Sequence, residues 1–376
     1  MLTIEKLTDR INERGIKVDI ESLIAEINRM EKKTKMISSS LVFKVASALK
    51  LSESKVNLNS SKLMVDFFYG YHQLPITKLT KIGRMPALDS DTLSLFSSDN
   101  SDVREYIEYR SLSKNLHILK NIQKEVVYGD EIHTKFNCHG ALSGRFTSQG
   151  PNLQQIPQEY RRIFIPRKGF SFLCIDLKQA EPTLAFALAG TPISEDIHSK
   201  AANQLSISRE KAKIFNIGIS YGMTASGLAK VLSCSKSTAQ SYIRAWESAN
   251  PELVSYTKKI NAAAAESGQV KLYDGSIIYE GSFNNPIDEE YTSNRAFNIH
   301  IQGSLALLIK KAMVKIQDFL DEFSPNSHIV LTEHDELVIE LSDNSLCLKD
   351  TIISMFENID GFHFSSKHLI ADCWEK

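Results

Sequence analysis

Apolar residues recur at helical spacing in two stretches of the first 125 residues. One stretch runs through Leu23, Ile27 and Met30, and the other runs through Val103 and Leu116. A repeat near 3.6 residues is typical of amphipathic helices. A connection rich in Ser, Asn and Lys separates the two stretches. We therefore predict two helices joined by a polar tip, an arrangement suited to a movable arm.

The pattern changes at residue 170. Residues 170–177, FSFLCIDL, form a short apolar β-prone run that ends in an acid, and residues 181–190 are typical of a helix. A further helix is predicted over 295–320. It precedes two β-runs, 328–332 and 337–341, around a tight polar turn. These patterns predict a strand that leads into a carboxylate, followed later by a hairpin.

Between these elements lies a long helical section, 199–268. Gly222, Gly227 and Pro251 are expected to separate its helices, because Gly and Pro interrupt helical patterns. A turn-rich patch follows at 274–286.

Acids stand at the end of the first β-run and at the tip of the hairpin. They are Asp176, Asp335 and Glu336. If the strands are neighbours, the carboxylates meet at one edge of a sheet, where their charge requires cations. Oxygen ligands of this kind suit Mg²⁺. Acids also commonly occupy turns, so the pattern alone leaves a metal site and an ordinary turn open.

A stripe of cations lies within SREKAKIFNIGISYG. Residues four apart share one face of a helix. On one face lie Arg209, Lys213, Ile217 and Tyr221, and on the other lie Ala212, Phe215 and Ile219. The first face could hold a triphosphate and a base. An ordinary amphipathic surface helix shows the same pattern, so both interpretations stay open.

Composition and charge narrow the class of protein. The 376 residues are 42% hydrophobic and 24% charged, which is typical of two or three globular domains. No apolar run reaches the roughly 18 residues of a membrane span, and the first ten residues are too charged for a signal peptide. The five cysteines form no CxxC pair, so the spacing suggests neither a disulfide framework nor a zinc site. We therefore expect a cytoplasmic protein.

The net charge of −1 gives no reason to expect a polyanionic partner. Basic residues nevertheless gather at 104–124, 161–168 and 200–213. A bipolar molecule could bind phosphates on one face, whereas solvated helix faces would give the same clusters. The segment 141–157, ALSGRFTSQGPNLQQIP, carries amides and hydroxyls suited to a nucleic-acid groove, or it forms a polar surface loop.

The order of these elements resembles the polymerase domain of family A DNA polymerases. SGRFTSQGPNLQQIP resembles the family's TGRxSSxxPNLQxIP. DLKQAEPTLAFALAG, REKAKIFNIGISYGMTASGLA and TEHDELVIE resemble motifs A, B and C, in that order. NIHIQGSLALLIKKAM lies between B and C, and VNLNSSKL and EYRSLSK match weaker thumb signatures. The resemblance covers almost the whole chain.

The resemblance implies an α+β fold of the right-hand type, with an antiparallel palm sheet and helical fingers and thumb. The implied parts are 1–125 for the thumb with an N-terminal palm-side helix, 126–190 for the first part of the palm, 191–286 for the fingers and 287–376 for the second part of the palm. The implied activity is template-directed addition of deoxynucleotides to a primer 3′-hydroxyl by two-metal-ion nucleotidyl transfer. Because the chain begins at the thumb, we expect neither 3′–5′ proofreading nor a 5′ nuclease.

The resemblance also assigns residues and partners. Two Mg²⁺ ions, with Mn²⁺ as a substitute, would bind Asp176 and Asp335, supported by Glu336, with Lys213 as general acid. The nucleotide would contact Arg209, Lys213, His198, Gln179, Ile217 and Tyr221, and Glu181 would exclude the 2′-hydroxyl. DNA would contact Arg145, Asn152, Gln154, Gln302 and His334, and in the thumb Asn59, Ser60, Lys62, Arg110 and Lys114. Primer-template DNA and dNTPs are the implied partners of a monomer that works beside separate replication or repair proteins.

Departures from the family pattern keep two alternatives open. Thr183 stands where motif A has Arg, and Ile217 stands where motif B has Phe or Tyr. A weakly active or inactive DNA-binding scaffold on this fold would tolerate both changes. A single-subunit RNA polymerase shares the two acids and the basic helix, but Glu181 and the PNLQQIP segment argue against it.

Overall fold

The computed structural model describes residues 2–80, 83–126, 129–193, 196–220, 222–281 and 294–375. The helices are α1 Ile4–Arg14, α2 Ile20–Leu49, α3 Ser61–Val65, α4 Ser90–Ser94, α5 Ser101–Glu125, α6 Ala180–Leu188, α7 Ile197–Leu205, α8 Arg209–Ser220, α9 Ala225–Leu232, α10 Lys236–Ala249, α11 Pro251–Ser267, α12 Arg295–Phe323 and α13 Lys349–Glu357. The strands are β1 Ile16–Val18, β2 Glu131–Ile132, β3 Lys135–Asn137, β4 Thr147–Gln149, β5 Phe164–Ile165, β6 Phe170–Leu177, β7 Gln269–Lys271, β8 Ile277–Glu280, β9 His328–Glu333, β10 Glu336–Ser342, β11 Asn358–Ile359, β12 Phe362–His363 and β13 Ser366–Ala371. No helix within these ranges has both the length and the apolar character needed to cross a membrane.

The chain forms two compact units, and the smaller comprises Lys17–Ile132 with Glu159–Ile163. Its two long helices, α2 and α5, pack against each other and are the two helices that the apolar spacing predicts. Asp19 and Asn100 cap their N-termini through side-chain oxygens. The connection is less polar than predicted, because Phe67 and Phe68 are fully buried between these helices and form part of the unit's core.

The larger unit comprises Met1–Ile16, His133–Gln158 and Phe164–Lys376. It contains a four-stranded antiparallel sheet in the order β13-β6-β10-β9. The central strands β6 and β10 are mostly buried, which explains their unbroken apolar sequences. The buried amide of Gln317 in α12 accepts a hydrogen bond from the Ile329 backbone at 3.0 Å and fixes this helix to β9.

The helical section between these strands is divided differently from the prediction. Gly222 follows α8 and Pro251 is the first residue of α11, as predicted. The expected break at Gly227 is wrong, because Gly227 lies in the first turn of α9 and its backbone N–H donates to the capping Thr224. The turn-rich patch contains strand β8, which pairs with β7 just before the patch, and 282–286 lie outside the described residues.

Candidate active site

The acids of the predicted site come from adjacent strands of the four-stranded sheet. Asp176 near the end of β6 pairs in register with Glu336 at the start of β10. The Leu177 N–H donates to the Asp335 carbonyl at 3.1 Å, so Asp335 lies beside the residue that follows Asp176. Between β9 and β10 the chain reverses at His334, whose φ of 55° is in the left-handed region. The strands are therefore neighbours, which is the condition under which the acids meet at one edge of a sheet.

Glu336 is held inside the protein. It is 1% exposed, and one carboxylate oxygen accepts a hydrogen bond from the Trp374 indole N–H at 2.8 Å. Trp374 is itself fully buried and packs edge-on against Phe164, with 5.6 Å between ring centroids. The partner of Glu336 therefore comes from the segment after β13, which fixes the start of β10 and with it the neighbouring Asp335.

Replacing Trp374 with Phe should lower the free energy of unfolding by about 1–3 kcal/mol. The change keeps most of the apolar ring but removes one donor to a buried carboxylate, and the loss of a partner to a buried polar group has this magnitude. Urea denaturation measures the effect. Trp246→Phe is the matched control, since Trp246 is the chain's other tryptophan; equal losses in both variants would contradict a special role for the bond to Glu336.

Asp176 and Asp335 have the chemistry of a site for a hard divalent cation. Both residues are half-buried, in contrast to the fully buried Glu336. Carboxylate oxygens with access to water are the ligands that Mg²⁺ prefers, because this ion retains several of its waters. Glu336 already accepts the indole hydrogen bond. Its position therefore favours a role in supporting the two aspartates. The donor set fits Mg²⁺ or Mn²⁺.

Helix α8 presents its cations to solvent. Ala212 and Phe215 are fully buried, and Phe215 packs with Leu228 of α9. Arg209 and Lys213 are exposed on successive turns, and the predicted two-faced helix is confirmed. Ile217 follows one turn later and is 47% exposed. Tyr221, the last predicted member of this face, lies outside the described residues.

Arg209 forms an ion pair with Asp196. The Arg209 Nε donates to an Asp196 carboxylate oxygen at 2.7 Å. The other oxygen accepts a hydrogen bond from the Gln179 amide, and Asp196 also caps the N-terminus of α7. Although partial burial opposes it, hydrogen bonds, that with Arg209 foremost, hold the pKa of Asp196 well below its usual range. Gln179 lies three residues after Asp176, so two side chains connect the end of β6 to the first cation of α8.

His198, which the resemblance assigns to a phosphate contact, is buried. Its Nδ1 lies 3.1 Å from the side-chain amide nitrogen of Asn216 in α8. Burial lowers the pKa of His198, and Arg209 and Lys213 lower it further, while Asp196 acts in the opposite direction. The imidazole is therefore neutral near pH 7. Since Asn216 can donate to Nδ1, the Nε2 atom carries the proton and can act as a hydrogen-bond donor.

Glu181, the predicted sugar gate, forms an ion pair with Arg145. The Arg145 guanidinium donates to a Glu181 carboxylate oxygen, and both side chains are about three-quarters buried. Glu181 also borders a cavity of about 440 Å³ that is lined by residues of α6, α7, α8, α10, α11 and α12. His198 and Ile217 line the same cavity. The structure thus brings together Arg145, which the resemblance assigns to DNA, and Glu181, which it assigns to the nucleotide.

The remaining predicted DNA contacts in this unit have structural partners or lie at its surface. Asn152 accepts hydrogen bonds from Ser148 and from the Gln154 backbone. The Gln154 side chain donates to the Thr332 carbonyl in β9 at 3.1 Å and so holds the segment 141–157 against the sheet. His334 is exposed at the hairpin tip, and Gln302 is half-buried on α12.

The predicted thumb contacts lie in the smaller unit. Asn59, Lys62, Arg110 and Lys114 are exposed. Ser60 caps α3 by accepting from the Leu63 N–H, and the Arg110 guanidinium donates to the Leu88 carbonyl. Phosphates could therefore reach the four exposed side chains, those of Asn59, Lys62, Arg110 and Lys114.

Two residues of the site were not among the predicted site residues. Asp196 has a local signal, because an acid directly before a helix is a common N-cap, but its pairing with Arg209 could not be inferred from spacing. Trp374 has no local signal that points to Glu336, which lies 38 residues earlier in the chain.

Comparison with known proteins places this arrangement among DNA polymerases. The model for DNA polymerase family A matches residues 27–360. DNA polymerase I of Pseudomonas aeruginosa is 26% identical over 354 residues, covering 87% of this chain and 39% of that protein. The thermostable DNA polymerase I of Thermus aquaticus is 27% identical over 322 residues, covering 78% of this chain and 38% of that protein. The chain therefore spans about two fifths of these relatives.

A solved structure has the same fold. The polymerase domain of Pol1 from M. smegmatis, in complex with DNA primer-template and dNTP, matches with a TM-score of 0.86 at 23% identity. The match covers 99% of this chain and 69% of that chain. This likeness confirms the predicted α+β fold of the right-hand type.

Proposed function

Because the chain belongs to DNA polymerase family A, we propose that it adds deoxynucleotides to a primer 3′-hydroxyl under the direction of a DNA template. One observation carries the proposal: the acids at the junction of β6 and β10 are connected to the cationic face of α8 through Gln179 and Asp196. Nucleotidyl transfer requires such a combination of carboxylates for metal ions and cations for a triphosphate.

Asp176 and Asp335 would hold two Mg²⁺ ions, which Mn²⁺ could replace. When bound, such ions stabilise negative charge on the attacking oxygen, the α-phosphate and the leaving group. Glu336 would support the two aspartates from its buried position. Arg209 and Lys213 would bind the triphosphate, and Lys213 would donate a proton to the leaving pyrophosphate. The neutral His198 would donate from Nε2 to a phosphate oxygen.

The nucleotide's sugar would lie against Glu181. Its carboxylate is held by Arg145 and so offers a fixed obstacle to a 2′-hydroxyl. Gln179, Ile217 and Tyr221 would complete the nucleotide site, and the segment 141–157 with Gln302 and His334 would contact DNA. The M. smegmatis polymerase domain was solved in complex with DNA primer-template and dNTP, which supports these partners for the present chain.

Primer extension tests the proposed function. The full chain is incubated with Mg²⁺ and a labelled primer annealed to a DNA template, with dNTPs in one reaction and rNTPs in another, and DNA binding is followed by fluorescence anisotropy. We expect extension with dNTPs only. Extension mainly with rNTPs would instead indicate an RNA polymerase. Binding without extension would indicate a DNA-binding scaffold, for which Thr183 and Ile217 are the sequence features in favour.

Replacing Asp196 with Asn should lower the KM for the incoming nucleotide by about twofold to fivefold. The carboxylate competes with the triphosphate for Arg209, and an exposed ion pair contributes only this modest effect. Asn is also a good N-cap, so α7 should keep its first turn. Steady-state extension kinetics measure the change. Ser199→Ala is the control, because it removes a hydrogen bond to Asp196 but leaves the charge; a raised KM in Asp196→Asn alone would contradict the competition.

A further inference from the structure

A second group of metal-binding side chains lies away from the acids of the sheet. The ligand atoms of Glu5, Cys138 and His139 all lie within 4.8 Å of one another. The His139 Nε2 and a Glu5 carboxylate oxygen are 3.1 Å apart. Cys138 is only 5% exposed, whereas the other two side chains are exposed. The group therefore has a buried sulfur on one side and access from solvent on the other.

The turn that carries Cys138 and His139 is fixed by its neighbours. The Asn137 side chain accepts a hydrogen bond from the His139 N–H at 2.9 Å, and the Gly140 N–H donates to the Asn137 carbonyl at 3.3 Å. A Cβ atom on Gly140 would lie 1.8 Å from the Thr147 hydroxyl oxygen, so the turn sits directly against β4. The two adjacent side chains therefore have a defined position before any ion binds.

Helix α1, which carries Glu5, is fixed to strand β3, which precedes the turn with Cys138 and His139. Asn12 of α1 forms two hydrogen bonds with the Phe136 backbone, accepting from its N–H at 2.8 Å and donating to its carbonyl at 3.1 Å. Phe136 lies in β3, two residues before Cys138. The distance between Glu5 and the turn is thus set by bonds that do not involve the three candidate ligands.

A buried lysine lies near the candidate ligands. Lys310 of α12 is 8% exposed; burial lowers the pKa of Lys310, whereas the nearby Cys138 and Glu5 act in the opposite direction. The thiolate is the form of a cysteine that binds metals. A dication bound by one thiolate, one carboxylate and one neutral imidazole has no net charge, so Lys310 would not repel the complete site.

We propose that Glu5, Cys138 and His139 form a binding site for Zn²⁺, with water as the fourth ligand. Thiolate, imidazole and carboxylate are the usual zinc ligands, and three protein ligands with one water make a common zinc geometry. On binding, the Cys138 thiol loses its proton to solvent as the sulfur–zinc bond forms. Zn²⁺ would take the place of the hydrogen between His139 Nε2 and Glu5, and the neutral imidazole would then carry its hydrogen on Nδ1, by proton exchange with solvent.

This site differs from the proposed magnesium site in its chemistry. A thiolate selects Zn²⁺ over Mg²⁺, whereas paired aspartates suit Mg²⁺. Bound Zn²⁺ would link α1 to the turn before the segment 141–157. The inference does not depend on the proposed polymerase activity, because its readouts are metal binding and stability.

The test uses the full chain without an affinity tag and with excess Mg²⁺ to occupy oxygen-only sites. Zn²⁺ binding is measured by isothermal titration calorimetry, and Co²⁺ serves as a spectroscopic probe for sulfur ligation. We expect one equivalent of Zn²⁺ per chain, a raised Tm and a thiolate-to-cobalt charge-transfer band. Cys138→Ser should remove the band and weaken Zn²⁺ binding more than about tenfold, since losing even a supporting residue has that effect.

Matched variants separate this site from others. Glu5→Gln and His139→Gln should each weaken Zn²⁺ binding, whereas Cys234→Ser and His133→Gln should not. A charge-transfer band that survives in Cys138→Ser, or Zn²⁺ binding that is identical in the wild type and all three ligand variants, would overturn the proposal. Absence of the band from the wild type would show that Cys138 does not bind the metal, which also overturns the proposal.

Discussion

Replacing Asp335 with Asn should slow nucleotide addition by about 10³-fold or more while leaving the fold and DNA binding intact. The amide has nearly the same shape as the carboxylate but lacks its charge, so a divalent cation would lose one of its two main ligands. Metal ions contribute several kcal/mol to charge stabilisation in such transition states, and each 1.36 kcal/mol corresponds to a tenfold change in rate. Asp176→Asn should have a similar effect, because Asp335 and the end of β6 are joined by the bond from Leu177.

Single-nucleotide incorporation under single-turnover conditions measures this loss, with anisotropy to confirm that the variant still binds primer-template. Asp343→Asn is the matched control. Asp343 is an exposed acid at the opposite end of β10, where Ser342 pairs with Phe170. An Asp335→Asn variant that incorporates nucleotides as fast as the control would show that the sheet-edge acids do not hold the reactive metal ions.

The elements that bear these acids could be predicted because their signals are local. Strand β6 is an uninterrupted apolar run, and α8 has its buried residues at helical spacing, so neither depends on distant neighbours for recognition. Gly227 was mispredicted because a glycine in the first turn of a helix can be compensated by a cap, here Thr224. A prediction that treats each glycine as the end of a helix does not take such a cap into account.

The partners within the candidate site could not be predicted, because they are set by tertiary packing. Asp196 meets Arg209 across 13 residues of chain, and Trp374 meets Glu336 across 38. The cysteine spacing indicates no zinc site, since two of the proposed ligands are adjacent and Glu5 lies 134 residues from His139. Sequence motifs therefore singled out the residues now proposed to be reactive, and only the fold showed which side chains hold them.

Replacing Glu181 with Ala should reduce the discrimination between deoxy- and ribonucleotides by on the order of 10²-fold, a typical magnitude when a site distinguishes substrates by one hydroxyl. In the proposed complex the Glu181 side chain occupies the space of a 2′-hydroxyl. Arg145 restricts the motion of this carboxylate, and the adjoining cavity offers space into which an unrestrained side chain could withdraw. Alanine removes the obstacle, and the exposed Ile217 is an aliphatic side chain that offers no polar contact in its place.

Two further variants separate size from charge in this gate. Glu181→Gln keeps the volume but loses the ion pair, and Arg145→Ala keeps the carboxylate but releases it. Discrimination is measured as kcat/KM for dCTP divided by kcat/KM for CTP on one primer-template. We expect Glu181→Gln to keep most of the discrimination, Arg145→Ala to lose part of it and Glu181→Ala to lose the most. If Glu181→Ala discriminates as well as the wild type, the exclusion of ribonucleotides must come from another residue, and the role of the Arg145–Glu181 pair is confined to positioning α6 against the segment 141–157.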